Sequence, residues 1–433
     1  MRLLIISPDY LSHFLPMSAV AAAWRASGDD VTVATGRSLR EHVTAAALDW
    51  HELRMSRGSN AGNAGDGSPD DDLRPFFAAT RRGMVATLRY QAEQRGTDLL
   101  WEPEAVARAT IAVVDRVAPD AILVDHLAFA ATLGMRAAGI PFTTFVPGHP
   151  TQLPVGDEVY GSPVRWPAVI GADRAELLEL RRCCEVVAGR FTDRYNEVLR
   201  RLDPSAPPVA DAFGAHGDDV LFNSAPAVAD PARLLPFRHA FLGSCVRPEQ
   251  ADRAARRWLE SDEPFTYVSF GTFLSRREDV LADVAATLRR RGGRVALATG
   301  SARCEALGPL PASWHVAPTL PQVTLLTRAG AAITHGGTNT VTECLAAGVP
   351  MVVLPFSTDQ FAIAADLERV DAATALDPNA PLRDALDLAL DGTGGARRRS
   401  LVGRIAEQLR APSGPAIALE RLRSVPTERA PVT

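Results

Sequence analysis

One segment of this sequence combines residue types that suit anion binding. The segment HGGTNTVTE directly follows the apolar run AGAAIT and contains His335, Gly336, Gly337, Thr338, Asn339, Thr340 and Glu343. The two glycines allow close backbone approach, and the three polar residues after them favour the start of a helix. Free N–H groups at a helix start, together with the helix dipole, form a site suited to phosphate. A plain tight turn explains the His-Gly-Gly sequence equally well.

Three further polar residues are predicted beside this turn. Glu343 lies about one helical turn beyond Thr340, on the same side of the predicted helix. Because a carboxylate repels phosphate, we expect Glu343 to accept hydrogen bonds from a sugar hydroxyl. Asp359 and Gln360 follow the next strand, VPMVVLP, and offer the acceptors and amide donors that vicinal hydroxyls require. The alternative is that Glu343 is a solvated helix residue and Asp359 a helix cap.

A second candidate group lies in the first half of the chain. His13 is predicted on the turn after the first strand, and Asp125 ends the strand AILVD. A neutral imidazole suits general-base catalysis near pH 7, and a carboxylate can fix its tautomer and stabilise the imidazolium. His126 is a rival base, with a side chain predicted to point the opposite way.

The elements around these residues alternate between strand and helix in both halves of the chain. Such alternation predicts an α/β fold with parallel sheets, in which ligands bind at the carboxyl ends of the strands. Two such halves facing each other would enclose a cleft, where ligands commonly bind. The first strand is predicted at residues 3–6 and its helix at 16–26, and residues 174–202 form one long amphipathic helix.

The predicted domain organisation has three parts. Residues 1–238 are predicted to form one Rossmann-like domain, residues 239–411 a second, and residues 412–433 contain a helix that returns to the first domain. Residues 57–73 are rich in Gly, Asn, Asp and Ser and are predicted to form a mobile loop, with its acidic run PDDDL solvated.

Composition excludes several classes of protein. A length of 433 residues predicts two domains, and the net charge of -5 argues against a nucleic-acid partner. Five cysteines with no C-x-x-C pair predict free thiols in a reducing compartment. The N-terminus reads as a strand rather than a signal peptide, and no apolar run approaches the roughly 20 residues that span a bilayer. We therefore expect a cytoplasmic protein without a membrane partner.

These motifs carry a family resemblance over most of the chain. The stretch HGGTNTVTECLAAGVPMVVLPFSTDQ resembles the nucleotide-sugar signature of family-one glycosyltransferases with the GT-B fold, of the actinobacterial natural-product type. The segments LPQ, YVSFGT and SPDYLSHFLPM are similar to further parts of the same family at the expected places. The resemblance implies two facing Rossmann-like domains with an interdomain cleft. It also implies that the acceptor-binding domain is 1–238 and that the nucleotide-sugar-binding domain is 239–411.

The resemblance also implies roles for individual residues. The donor-binding residues that it implies are Gly271, Thr272, Leu320, Gln322, His335, Gly336, Gly337, Thr338, Asn339, Thr340, Glu343, Asp359 and Gln360. Among them, His335 and the helix start hold the diphosphate, with Thr340 reaching an α-phosphate oxygen. Glu343 binds the nucleoside sugar, and Gln322 and its neighbours flank the base. Gly271 and Thr272 close the phosphate side of the site. Asp359 and Gln360 hold the transferred sugar. His13 and Asp125 form the catalytic pair.

One position departs from the plant members of the family. Those members stack the nucleobase on a tryptophan where this chain has Thr319, and Trp314 lies five residues too early to replace it. Bacterial users of thymidine-diphosphate sugars are therefore the closer match.

The expected reaction is an inverting, metal-independent transfer. A sugar moves from a nucleoside diphosphate, expected to be a dTDP-deoxysugar, to a small hydrophobic natural-product aglycone, without any cofactor beyond the sugar nucleotide. The helix dipole and His335 are expected to supply positive potential for the leaving group. The alternatives are a UDP-sugar transferase of the same fold, a sugar-nucleotide epimerase, and a non-catalytic sugar-nucleotide-binding auxiliary paralogue.

The acceptor side is less defined. Phe76, Phe129 and Phe145 could line an apolar acceptor pocket, although aromatic residues are found in protein cores just as often. The expected partners are the nucleotide sugar and the aglycone, and a homodimer is left open.

Overall fold

The computed structural model describes residues 1–56, 69–247 and 249–425. Most of the predicted mobile loop 57–73 lies outside these residues. Its last part is helical instead, because Pro69–Arg82 forms a helix. Proline is tolerated in the first turn of a helix, and the apolar residues Phe76 and Phe77 of this helix are buried against the second half of the chain.

The two halves each contain a parallel sheet. The first sheet has the order β3-β2-β1-β4-β5-β6-β7 and the second β10-β9-β8-β11-β12-β13. The strands of the first are β1 Arg2–Ile6, β2 Asp30–Thr35, β3 Asp49–Glu52, β4 Ala121–Asp125, β5 Thr143–Val146, β6 Asp219–Phe222 and β7 His239–Phe241. Those of the second are β8 Phe265–Ser269, β9 Arg294–Ala298, β10 His315–Ala317, β11 Ala331–Thr334, β12 Met351–Val353 and β13 Ala373–Ala375.

Helices connect the strands of both sheets. The first half contains α1 Leu11–Ala26, α2 Arg40–Ala45, α3 Pro69–Arg82, α4 Met84–Asp98, α5 Pro103–Val117, α6 Phe129–Ala137 and α7 Arg174–Leu202. The second contains α8 Arg253–Trp258, α9 Gly271–Leu274, α10 Glu278–Arg291, α11 Gln322–Leu326, α12 Thr338–Ala347, α13 Gln360–Arg369, α14 Arg383–Thr393, α15 Ala396–Gln408 and α16 Gly414–Arg423.

The predicted α/β class with two Rossmann-like halves is confirmed. Two details of the predicted organisation differ. Strand β7 pairs with β6, so the first sheet continues past the predicted boundary at residue 238. Helix α1 begins at Leu11 rather than near Pro16. Pro16 lies inside this helix and removes one helical hydrogen bond, but the helix continues through it. Helix α16 packs against α1, with Ala418 and Leu422 in the core of the first half.

Sheet topology positions the candidate residues. In each sheet the strand order reverses once, between β1 and β4 and between β8 and β11. Ligands of open α/β sheets bind at such switch points. His13 lies in the first turn of α1, which follows β1, rather than in the predicted turn, and Asp125 is the last residue of β4. Gly271 begins α9 after β8, and His335 follows the end of β11. In the described part of the chain, no helix combines the length and apolar character that crossing a membrane requires.

Candidate active site

His13 and Asp125 form a hydrogen-bonded pair. The imidazole Nδ1 lies 2.8 Å from Asp125 Oδ2, at the switch point of the first sheet. Burial alone would raise the pKa of Asp125, but its contacts with His13, with His126 and with the backbone N–H of Leu127 hold that pKa below its usual value. The carboxylate is therefore ionised at neutral pH and accepts the Nδ1 proton. This tautomer leaves Nε2 of His13 as the basic atom.

The prediction that the His126 side chain points away is wrong. Its ring lies nearly parallel to that of His13, with centroids 6.4 Å apart, and its Nδ1 is 3.6 Å from Asp125 Oδ1. Strand β4 ends at Asp125, so the alternation of side chains along the strand stops before His126. The His126 side chain is fully buried, whereas His13 remains partly exposed and accessible to a substrate.

The start of α12 provides unpaired backbone donors. Gly337 is the N-cap residue, and the first helical hydrogen bond runs from the Val341 N–H to the Gly337 carbonyl. Among the described residues, no side chain caps this helix end. The N–H groups of Thr338, Asn339 and Thr340 therefore precede the helical ladder. Such an end binds anions, as the residue types predicted.

The His335 ring lies between two glycines. A Cβ on Gly337 would collide with Nε2 of the ring, and one on Gly271 would lie 3.3 Å from its Cε1. Gly271 and Gly336 also have positive φ values of 69° and 85°, which L side chains rarely adopt. Close approach is thus the reason for glycine at these positions. Thr272, beside Gly271 in α9, is exposed.

His335 is neutral at physiological pH. Burial lowers the pKa of His335 to about 4, against smaller raising effects from the Ser269 backbone and Asp359. The expectation that this imidazole supplies positive potential does not hold, because burial keeps the ring neutral. Its contribution at pH 7 is a neutral hydrogen-bond donor, and the positive field at this site comes from the N-terminus of α12.

Asn339 connects the two halves beside the catalytic pair. Its side-chain amide donates to the Ser12 carbonyl at 2.7 Å, and its oxygen accepts from the Asn223 amide at 3.4 Å. The Ser12 carbonyl would normally accept from the N–H of residue 16, but Pro16 has none. The proline thus frees the carbonyl that Asn339 binds, one residue from His13.

A polar network surrounds Glu343 on the inner side of α12. Gln322 donates its amide to Glu343 and accepts from the Tyr267 hydroxyl at 2.9 Å and from the Thr340 hydroxyl at 3.3 Å. Burial raises the pKa of Glu343, opposed by Gln322 and by Arg247, whose Nη1 is 3.8 Å from Glu343 Oε1. Sequence reasoning did not single out Tyr267, although this residue begins the segment YVSFGT, and it missed Arg247, which no local pattern marks.

The residues expected around the base are less enclosed. Leu320 is half-buried against a hydrophobic cluster of the second half that includes Leu325, and Thr319 is exposed. Trp314 is buried in the core that contains Phe270 and Leu297, so it cannot act as a stacking platform.

Asp359 and Gln360 differ in their surroundings. Gln360 is buried, and its side-chain oxygen accepts from the N–H groups of Phe356 and Ser357, so it braces its own loop rather than facing a sugar. Asp359 accepts from the His149 N–H at 2.7 Å and from the Thr358 hydroxyl at 2.8 Å. It also lines a cavity that is open to solvent.

The three phenylalanines predicted to contact an acceptor lie elsewhere. The ring centroids of Phe76 and Phe273 are 5.1 Å apart, as are those of Phe129 and Phe191. Phe145, in strand β5 of the first sheet, is completely buried. The prediction that these three side chains line an acceptor pocket is therefore wrong. They fill the core instead, because a large aromatic side chain buries most apolar area when it is enclosed on all sides. Instead, the cavity beside Asp359 has Tyr160 and Phe213 in its wall, stacked 4.1 Å apart and within 2° of parallel.

Comparisons with known proteins agree with this architecture. Residues 177–392 match the family model described as UDP-glucoronosyl and UDP-glucosyl transferase. Zeaxanthin glucosyltransferase of Pseudescherichia vulneris is 26% identical over 386 residues, which cover 84% of this chain and 83% of that protein. Demethyllactenocin mycarosyltransferase of Streptomyces fradiae is 27% identical over 232 residues, covering 53% of this chain and 50% of that one.

A solved structure extends the similarity to the whole fold. The glycosyltransferase VinC, in complex with dTDP, superposes with a TM-score of 0.68 at 17% identity, covering 98% of this chain and 99% of that chain. At this identity the likeness shows the fold, which is the GT-B arrangement of two Rossmann-like halves.

Proposed function

Because this chain belongs to the UDP-glucoronosyl and UDP-glucosyl transferase family and is a glycosyltransferase, we propose that it glycosylates a small hydrophobic natural product with inversion. Family membership argues for transfer rather than for the epimerase and non-catalytic alternatives. The observation that carries the proposal is the contact between Asn339 and Ser12. It places the uncapped start of α12 against the turn of α1 that bears His13.

The proposed reaction is a single displacement. The acceptor hydroxyl attacks the anomeric carbon and gives its proton to Nε2 of His13, while Asp125 stabilises the imidazolium. The bond from the anomeric carbon to the diphosphate oxygen breaks with its electron pair. The leaving diphosphate is bound by the N–H groups at the start of α12 and by the neutral His335. Attack opposite the leaving group inverts the anomeric configuration, and the proposed course requires no metal.

The nucleoside is proposed to bind along the Gln322 and Glu343 side of α12. Glu343 is already an acceptor for one amide donor and can accept a ribose hydroxyl with its remaining lone pairs. We propose thymidine as the nucleoside, since Thr319 is exposed where the plant members place a tryptophan and Trp314 is buried. The second candidate is a UDP-sugar donor, which the name of the matching family model favours.

The acceptor is proposed to occupy the cavity beside Asp359. The stacked rings of Tyr160 and Phe213 in its wall suit a flat apolar face of the acceptor. Gln91 and Gln152 add polar groups that can orient hydroxyls. The names of two relatives, zeaxanthin glucosyltransferase and demethyllactenocin mycarosyltransferase, support a natural-product acceptor.

A donor and acceptor panel tests the proposal. The protein is incubated with dTDP- and UDP-sugars and with hydroxylated polycyclic or macrocyclic acceptors, and nucleoside-diphosphate release and the anomeric configuration of the product are measured. We expect transfer with inversion, faster with dTDP-sugars, and unchanged by a chelator. A faster reaction with UDP-sugars selects the second candidate, whereas a retained configuration or chelator-sensitive turnover refutes the proposed mechanism.

A further inference from the structure

His149 contacts helix α13 at two points from the opposite half of the molecule. Its backbone N–H donates to Asp359 at the helix start, at 2.7 Å, and its ring Nε2 lies 3.0 Å from Oδ2 of Asp366. The two acids are seven residues apart, which is two helical turns, so they lie on one face of α13. A single residue therefore contacts that face near both of its ends.

The residues that follow His149 fix its backbone conformation and the orientation of its ring. Pro150 restricts the preceding residue to an extended conformation, and His149 has φ -65° and ψ 144°. The ring Nδ1 accepts the Thr151 N–H at 3.3 Å and lies 2.8 Å from the Thr151 hydroxyl. With Nδ1 acting as acceptor, the proton is on Nε2 and points at Asp366.

The bond to Asp366 is charge-assisted and shielded from water. His149 is 8% exposed and Asp366 2% exposed. Burial alone would raise the pKa of Asp366, but the hydrogen bond from His149, together with Arg165 and Arg369, holds that pKa below its usual value. Arg165 donates to Asp366 Oδ1 at 2.8 Å, also from the first half. An ionised acceptor in a buried setting makes a stronger hydrogen bond than a neutral one.

We propose that His149 is a positioning residue that fixes α13 and thereby sets the Asp359 carboxylate against the sugar of the donor. This inference rests on the proposed function and adds that Asp359, in the wall of the proposed acceptor cavity, contacts the transferred sugar, the role that the family resemblance implies. The contacts proposed for the nucleoside diphosphate, at the start of α12 and at Glu343, do not involve His149. Loss of the ring should therefore weaken recognition of the sugar and leave recognition of the nucleotide unchanged.

The test compares two ligands that differ by the sugar. His149→Leu removes both ring contacts, His149→Gln retains an amide donor that can reach Asp366, and His216→Gln is a matched control whose ring contacts Gly217 within the first half. Affinity for free dTDP and UDP is measured by calorimetry, and KM and kcat are measured with the intact donor. His149→Leu is expected to raise KM for the donor about 10- to 100-fold with free-nucleotide affinity within about twofold of wild type. His149→Gln should recover most of the loss.

Each outcome decides between a positioning and a structural role. Equal loss of affinity for free nucleotide and intact donor, an unaltered KM in His149→Leu, or failure of the glutamine to rescue would overturn the inference. If His149→Leu does not fold, Asp366→Asn removes the acceptor's charge and should raise the donor KM in the same selective way. Wild-type protein that neither binds a nucleoside diphosphate nor transfers a sugar would instead refute the proposed function itself.

Discussion

The side-chain amide of Asn339 lies 2.7 Å from the backbone carbonyl of Ser12, and this contact joins the first turn of α12 to the first turn of α1. Pro16 makes it available, since a residue with an N–H at position 16 would occupy the same carbonyl within the helix. This hydrogen bond therefore connects the proposed diphosphate site directly to the helix that carries the proposed base.

Replacing the Asn339 side chain should separate catalysis from nucleotide binding. Asn339→Ala keeps the backbone N–H at the start of α12 but loses the contact with Ser12, so we expect kcat to fall about 10-fold with nucleoside-diphosphate affinity within about threefold of wild type. Pro16→Ala supplies a competing N–H to the Ser12 carbonyl and should lower kcat in the same direction. Steady-state kinetics and calorimetry measure both effects. A large loss of nucleotide affinity in Asn339→Ala would mean that the side chain serves the phosphate directly.

Much of the site could be predicted because its residues are close in sequence. The turn after β11, the start of α12 and Glu343 form one continuous segment, and glycine was required there by the approach of the His335 ring. The contacts between the halves could not be predicted. Asn339 and Ser12 are 327 residues apart, and His149 and Asp366 are 217 apart. No local pattern specifies how two separately formed sheets pack against each other.

The errors in the sequence interpretation have physical causes of the same kind. Apolar aromatics such as Phe129 look alike in the sequence whether they line a pocket or fill a core, and burial is decided by distant partners such as Phe191. The pKa of His335 depends on burial, which the polar sequence around it does not reveal. Gln360 appeared suited to a sugar, but the loop that precedes it uses its side-chain oxygen.

Removing the proposed base should abolish transfer without loss of donor binding. His13→Ala is expected to lower kcat about 10²- to 10⁴-fold, the usual cost of losing a general base. Asp125→Asn should have an effect of similar size, because an amide can donate to Nδ1 and so favour the tautomer that protonates Nε2. Single-turnover rates and donor affinity are measured for both variants. Unchanged turnover in His13→Ala would refute the assignment, and full activity in His126→Ala would exclude the neighbouring imidazole as the base.

A single methyl group should test the proposed phosphate site. Gly337 has an ordinary φ of -63°, so Gly337→Ala introduces no backbone strain, but the added Cβ would collide with Nε2 of His335. We expect the ring to be displaced and affinity for a nucleoside diphosphate to fall at least 10-fold. Gly403→Ala in α15 is the matched control, since nothing lies within 4 Å of its added Cβ, and it should gain about 0.4–1 kcal/mol of stability. Equal nucleotide affinity in the two variants would place the diphosphate elsewhere.

The neutral state of His335 predicts how stability depends on pH. Its pKa is about 4 in the folded protein, below the ordinary value of 6.5, so the unfolded chain binds the proton first as pH falls. The free energy of unfolding should therefore decrease between about pH 6.5 and pH 4, and this contribution is fully present above that window. His335→Gln cannot take up the proton, and we expect it to remove on the order of 1–3 kcal/mol of that decrease. Urea unfolding at pH 7 and pH 4.5 measures the difference, with His42→Gln at an exposed position of α2 as the control. An identical decrease in wild type and His335→Gln would show that the imidazole is not held in its neutral form by burial.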